Sequence, residues 1–390
     1  MRASAAIWPI VIAWGQGQHP DTQQMKHLQN WLQSSGQVDV WRIVPHQLEV
    51  ALVARASLLQ SFVSRLTQHG LTLPIAQDWT DWVKPLWMLW LPLALRIDGN
   101  QRALNQPYVQ GILGGQGTGK STLCQILQLL LGCLGQRAVS LSIDDLYLTY
   151  AERCELRRKV PELIWRGPPG THDIDLGLDV LEQVQRNEAT IALPQFDKSL
   201  HAGQGDRISP AIVESPTIVL FEGWFVGAQP LSAETLNAAD FSFPPPIETP
   251  ADRQFARDCN SRLSDYLPLW AFLNDLIVLL PKDYRWSLQW RQAAEYKMMS
   301  EGKTGLSAAE ISAFVLYFWK ALHPELFITP LTLCPQPSDQ ANGCLHEQVL
   351  SDTAPSNKNP GQETSLVVSI DLSHQVDGLY LPRGGHFKAV

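Results

Sequence analysis

The pattern of apolar and polar residues changes near residue 107. Before it, Leu48, Ala51, Leu52, Leu59, Phe62, Val63 and Leu66 recur at helical spacing, with Arg55 the one break in the stripe. Leu86 to Leu95 is apolar, far too short to span a bilayer and interrupted by Pro92, so it reads as a buried core element. Beyond residue 107, short apolar runs alternate with helical stretches. Val109 to Leu113, Ala138 to Ile143, Thr217 to Phe221 and Leu276 to Leu280 are strand candidates, and a helix is predicted from Lys120 to about Leu134. Leu366 to Ile370 predicts a fifth strand that returns to the sheet. Near-continuous apolar strands of this kind suit a parallel sheet covered by helices on both faces. The expectation is an α/β fold with a mostly parallel sheet flanked by helices, preceded by a mainly helical region.

Composition narrows this picture. The chain has 390 residues, 45% of them hydrophobic, which suffices for a sizeable core. Eight of its 14 Trp fall in residues 1–106, where they are read as packing. Its 38 acidic residues outnumber its 30 basic ones, and no long Lys/Arg run occurs. That argues against a nucleic-acid partner or an anionic membrane surface. Ala5 to Trp14 is a short apolar stretch after Arg2 with no clean small-residue cleavage site, so it is expected to be a buried segment rather than a signal. None of the 6 Cys is spaced as a CxxC pair, and they read as reduced thiols in a cytoplasmic protein. Residues 331–363 are polar and aperiodic, rich in Pro, Ser and Asn, and are expected to be a flexible linker.

The candidate chemistry lies at the strand ends. Gly114-Gly115-Gln116-Gly117-Thr118-Gly119-Lys120-Ser121 has the GxxxxGK[ST] form between a strand and a helix. Glycines there let backbone N–H groups turn toward phosphates, Lys120 would reach the β- and γ-phosphates, and the Ser121 hydroxyl would ligate magnesium. Thr122 follows in the first helical turn. No NKxD guanine-reading motif is found, which lowers a GTPase reading. Asp144 and Asp145 end the second strand, where one carboxylate could accept the proton of an attacking hydroxyl and the other could cap a helix. Position favours Asp144 as the actor. Glu222 ends the third strand at the position that would hold magnesium. Arg166, His172, Lys198 and Arg207 lie in polar segments between the second and third strands. They suit an anionic acceptor such as a carboxylate, the alternative being ion pairs to Asp173, Asp197 and Asp206.

These elements together set the domain expectation: 1–106 a mainly helical N-terminal region, 107–330 a P-loop kinase domain of the P-loop NTPase fold, 331–363 a linker or insertion, and 364–390 a returning strand and tail. Gly114–Ser121, Ser142-Ile143-Asp144-Asp145-Leu146-Tyr147, Gly170-Thr171-His172-Asp173, Phe196-Asp197-Lys198-Ser199, Gly205-Asp206-Arg207 and Phe221-Glu222-Gly223-Trp224 resemble D-glycerate 3-kinase of the plant and cyanobacterial type. That family sits within the wider group of uridine kinase, pantothenate kinase and phosphoribulokinase. The stretches Asn260 to Tyr266, Trp270 and Gln289 to Glu295 also fit, and the likeness covers roughly residues 107–330 and 366–371. It implies ATP and Mg2+ as cofactors and D-glycerate as substrate, in photorespiratory or glycolate-salvage carbon recovery. It also implies Asp144 as base and as acceptor contact, with Asp173 in the acceptor site, and Arg291 on a lid helix near the phosphates. Pro168 departs from the family's usual turn before Gly170. The competing readings are a sister kinase acting on uridine, pantothenate or phosphoribulose, and a regulator that binds ATP without turnover.

Overall fold

The structure is a computed structural model that describes residues 7–69, 78–300, 307–333 and 364–382, apart from the side chains of residues 297 and 298. From residue 334 on, the expected linker lies outside the described residues. Its first residues close a 3-10 turn, Thr329–Thr332.

Among the described residues, four helices of eight residues or more precede the first strand: α1 (Trp8–Gly15), α2 (Thr22–Ser34), α3 (Leu48–His69) and α4 (Leu91–Leu104). The stripe read from Leu48 to Leu66 lies on α3. Arg55, the break in that stripe, is itself buried. Its guanidinium donates to Gln37 Oε1 and to the carbonyl of Trp87, both at 3.3 Å. Trp87 sits in a π-helical turn, Leu86–Trp90, where i→i+5 bonding replaces the usual pattern. The cation is thus buried because it holds that turn, and burial pushes its pKa down to about 9.

The main sheet contains β1 (Tyr108–Gly114), β2 (Ala138–Ser142), β5 (Ile218–Gly223), β6 (Asp275–Pro281), β7 (Thr364–Ile370) and β8 (Val376–Tyr380). Their order is β2-β5-β1-β6-β7-β8, parallel throughout except for the antiparallel edge strand β8. Alternation along the strands divides two cores. Tyr108, Ile112, Ile218, Leu220, Ile277, Leu279, Leu366 and Val368 face the N-terminal helices and α5 (Lys120–Cys133). Val109, Leu113, Val219, Phe221, Leu276, Val278 and Val367 face the opposite layer. That layer includes α7 (Ile174–Gln185), α8 (Pro250–Leu263) and α10 (Ala308–Ala321). An ion pair, Arg96 to Asp275 at 3.0 Å, ties α4 to the start of β6.

Between β2 and β5 the chain leaves the main sheet. α6 (Tyr150–Lys159) and α7 are followed by an antiparallel hairpin, β3 (Thr190–Asp197) and β4 (Asp206–Glu214). The sequence reading had no strands here. Beyond β6 come α9 (Trp286–Ser300) and α10. No helix among the described residues is long and apolar enough to cross a membrane. Cys124, Cys133, Cys154 and Cys259 are free thiols.

Candidate active site

β1 is buried along its whole length and ends at Gly114, centred in the sheet between β5 and β6. This places the glycine-rich loop at the carboxyl edge, where parallel sheets bind ligands. Gly117 (φ 80°) and Gly119 (φ 87°) adopt left-handed backbone. At Gly117 a Cβ would also come within 2.7 Å of Trp290 Cβ, so the loop and α9 pack too closely for any side chain there. Thr118 Oγ1 donates to the Gly115 carbonyl at 2.9 Å, and Lys120 Nζ reaches back to the same oxygen at 3.1 Å. Burial pushes the Lys120 ammonium below its usual pKa, with Glu222 and Asp144 opposing. Ser121 Oγ donates to Glu222 Oε1 at 2.8 Å. Gln116 Oε1 has no partner among the described residues. The first turn of α5, with Thr122, follows directly.

Asp144 and Asp145 sit in a 3-10 turn, Ile143–Leu146, just past β2, and take different roles. Asp145 accepts from the backbone N–H of Ser142 and of Phe196, both at 3.2 Å, so it caps the turn and holds β3. Asp144 Oδ1 accepts from the Tyr147 hydroxyl at 2.7 Å, and its Oδ2 pairs with Lys198 Nζ at 2.5 Å. Burial alone pushes the Asp144 carboxyl up. Lys198 and the Tyr147 hydroxyl outweigh it, and the net direction is down.

The remaining predicted residues gather around Tyr147. Arg207 Nη2 donates to the Tyr147 carbonyl and to Asp173 Oδ2, both at 3.0 Å, and its Nε is buried without a partner among the described residues. Asp173 also caps α7 through the Leu176 N–H. Arg166 donates to the carbonyls of Gly203 and Gln204 at 2.9 and 2.8 Å and lies over the Tyr147 and Phe196 rings. His172 stacks on Tyr147, with ring centroids 4.7 Å apart, and its Nδ1 meets the Tyr266 hydroxyl at 2.6 Å. Burial pushes the His172 pKa down to about 3 against the pull of Asp144, so the ring is neutral. Of the ion pairs weighed against acceptor binding, only Arg207 with Asp173 forms. Asp197 and Asp206 instead bind backbone and neighbours of the hairpin. Pro168 is buried, and its carbonyl accepts from Thr171 Oγ1 at 2.8 Å, fixing the turn before His172.

Arg291 stands apart from this cluster. It lies on α9, next to the Trp290 that packs on Gly117, pairs with Glu295 at 3.0 Å and lies over the Phe314 ring. Beside the loop, a cavity of about 390 Å³ is lined by Gly115, Gln116, Trp224, Phe225, Tyr284 and Phe318, among others. Phe225 is its shared wall, since the same ring stands edge-on to His172 at 5.7 Å.

Comparison with known proteins gives the family. The chloroplastic D-glycerate 3-kinase of Arabidopsis thaliana is 32% identical over 235 residues, 57% of this chain and 49% of that protein, so the chain spans about half that relative's length. The uncharacterized kinase mug58 of Schizosaccharomyces pombe is 32% identical over 222 residues, covering 55% of this chain and 79% of that protein. The chain belongs to the same P-loop kinase family as mug58. Such kinases are ATP-dependent enzymes acting on small molecules. No family model matches the chain. Among solved structures, D-glycerate 3-kinase from Cryptococcus neoformans superposes with a TM-score of 0.58 at 24% identity, covering 74% of this chain and 96% of that one, and bears out the fold.

In this P-loop kinase fold the sequence reading missed two residues. Arg153 is buried, donates to the Leu148, Gln204 and Gly205 carbonyls, and lies over the Phe196 ring, so it ties α6 to the hairpin. In the sequence it is one of several charges on a polar helix and gives no signal. Tyr266 was seen only as part of a matching stretch, although its position on the short turn after α8 brings it against His172.

Proposed function

We propose that the chain transfers the γ-phosphoryl group of ATP to D-glycerate, giving 3-phospho-D-glycerate and ADP, as in glycolate salvage. The observation that carries this reading is the set of donors around Tyr147. His172 Nε2 and Arg207 Nε are buried without partners among the described residues, beside the Asp144–Lys198 pair. Buried donors without partners are costly unless a ligand satisfies them, and a small carboxylate with hydroxyls does so.

The geometry supports the following roles. The glycine loop and the N-terminus of α5 bind the phosphates, and Lys120 neutralises charge on the transferring group. Ser121 Oγ and Glu222 Oε1, two hard oxygen donors at the mouth of the loop, fit Mg2+, which takes one or two protein oxygens and keeps phosphate oxygens and water for the rest. When bound, the ion neutralises charge on the phosphates. Asp144 orients the acceptor hydroxyl and takes its proton, while Lys198, Arg207, Arg166, His172 and Asp173 surround the acceptor. Arg291 closes on the phosphates from α9. The free thiols support a reducing, cytoplasmic setting.

The test is to incubate the chain with MgATP and, separately, D-glycerate, uridine, pantothenate and ribulose 5-phosphate, and to identify the phosphorylated product by mass and NMR. We expect 3-phospho-D-glycerate. Preferential phosphorylation of another acceptor would transfer the assignment to a sister kinase, and ATP binding without any product would favour the regulator.

A further inference from the structure

Tyr266 is fully buried, and its hydroxyl stands between two partners. The Gly170 N–H donates to it at 3.0 Å, and His172 Nδ1 lies 2.6 Å away. Gly170 has φ 96°, and a Cβ there would come within 2.6 Å of Arg262, so the turn that aims this N–H is held in place. With one lone pair engaged by Gly170, the Tyr266 proton needs an acceptor. No carbonyl or carboxylate among the described residues accepts it, and a buried O–H without an acceptor is expensive. The proton therefore goes to Nδ1. Burial supports this by pushing the phenol pKa up and the imidazole down, so Tyr266 stays protonated and His172 neutral. In a neutral ring whose Nδ1 accepts, the proton is on Nε2. That atom has no partner among the described residues. The ring carrying it stacks on Tyr147, whose hydroxyl binds Asp144.

We propose that Tyr266 is a positioning residue: its hydroxyl fixes His172 as the Nε2–H tautomer, and that N–H donates to an oxygen of the acceptor molecule beside Asp144. The inference deepens the kinase reading above and rests on it for the identity of the acceptor, but not for the tautomer. A wrong tautomer would turn Nε2 into an acceptor facing the substrate's oxygens, so the same ring would repel where it now binds. Tyr266 thereby sets acceptor affinity without touching the substrate.

Two measurements test this on the full chain. The first is NMR of protein labelled with 15N-histidine, with the His172 signals identified by their loss in His172→Gln. We expect the Nε2–H form in the wild type and a shift toward Nδ1–H in Tyr266→Phe. A wild-type Nδ1–H form or a tautomer mixture overturns the proposal, whatever the substrate is. The second is steady-state kinetics with whichever acceptor the wild type turns over. Tyr266→Phe should raise the acceptor KM about tenfold, the scale of one lost hydrogen bond, with the ATP KM within about twofold. His172→Gln keeps a donor near the Nε2 position without a tautomer, so adding Tyr266→Phe to it should cost little more. A full tenfold loss on that background, or equal rises in both KM values, would show that Tyr266 acts through general packing and would sink the idea. A wild type that turns over a different acceptor from D-glycerate defeats only the substrate assignment, and both arms still apply.

Discussion

At the residue scale, adjacent carboxylates separate into two jobs. Asp144 has its oxygens on Tyr147 and Lys198, while Asp145 has its own on the Ser142 and Phe196 backbone. Asp144→Asn keeps the size but cannot accept a proton, and kcat should fall roughly 10²–10⁴-fold, the usual scale for a general base. The loose transition state of phosphoryl transfer makes the lower end natural. Asp145→Asn must turn an amide N–H toward one of two backbone donors, so it should lower Tm while leaving kcat near the wild type. Kinetics and melting curves on both mutants decide this, and equal kcat losses would undo the division of roles. The Lys198 ion pair has a further meaning. Burial pushes Asp144 up while Lys198 pulls it down, so the carboxylate is a weaker base when the pair is closed than when an anionic acceptor draws Lys198 away.

At the element scale, the hairpin decides how the proposed acceptor side is held. Lys198 and Arg207 stand at its two strand ends, and Arg153 is the clasp between it and α6. Arg153→Met leaves the Leu148 and Gly205 carbonyls without this donor, the Gln204 carbonyl keeping Arg166, but conserves much of the buried stem. The acceptor KM should rise about tenfold with the ATP KM little changed, and amide exchange should quicken over residues 197–207. Unchanged exchange there would show that the clasp does not order the hairpin. The same hairpin marks the limit of what the sequence discloses. The five apolar strands were legible because each lies in the parallel sheet and reads as a continuous run, four of them buried along most of their length and the edge strand β2 burying only Leu141. In β4, by contrast, Ile208 and Ile212 are exposed, and in β3 the exposed-buried alternation lasts only from Thr190 to Leu193, too short to mark a strand. The phosphate loop was legible from its own spacing. Tyr266 and Arg153 were not, because their roles depend on contacts that chain folding creates across 94 and about 50 positions.

At the scale of the whole molecule, the N-terminal helices share a core with one face of the kinase sheet. Deleting residues 1–104 would bare Ile112, Leu220, Leu279 and Val368 together with the outer face of α5. We expect the shortened chain to be insoluble or to melt without cooperativity, and a soluble fragment with a sharp transition and bound ATP would show that the helices are dispensable. The opposite holds for the hairpin. Its entry and exit are hydrogen-bonded to each other, Ser215 N–H to the Ala189 carbonyl at 3.0 Å, and Thr190 stands opposite Glu214. Insertions whose two ends meet can be exchanged without opening the scaffold that carries them. Residues 189–215 are therefore a cassette, joined to the rest through the core packing of Ile191 and Leu193, through Asp144, Asp145, Tyr150, Arg153 and Arg166, and through the Tyr147 and Asp173 partners of Arg207. A lineage, or an engineer, could trade that cassette for another and redirect the enzyme to a new alcohol while the nucleotide machinery stays as it is.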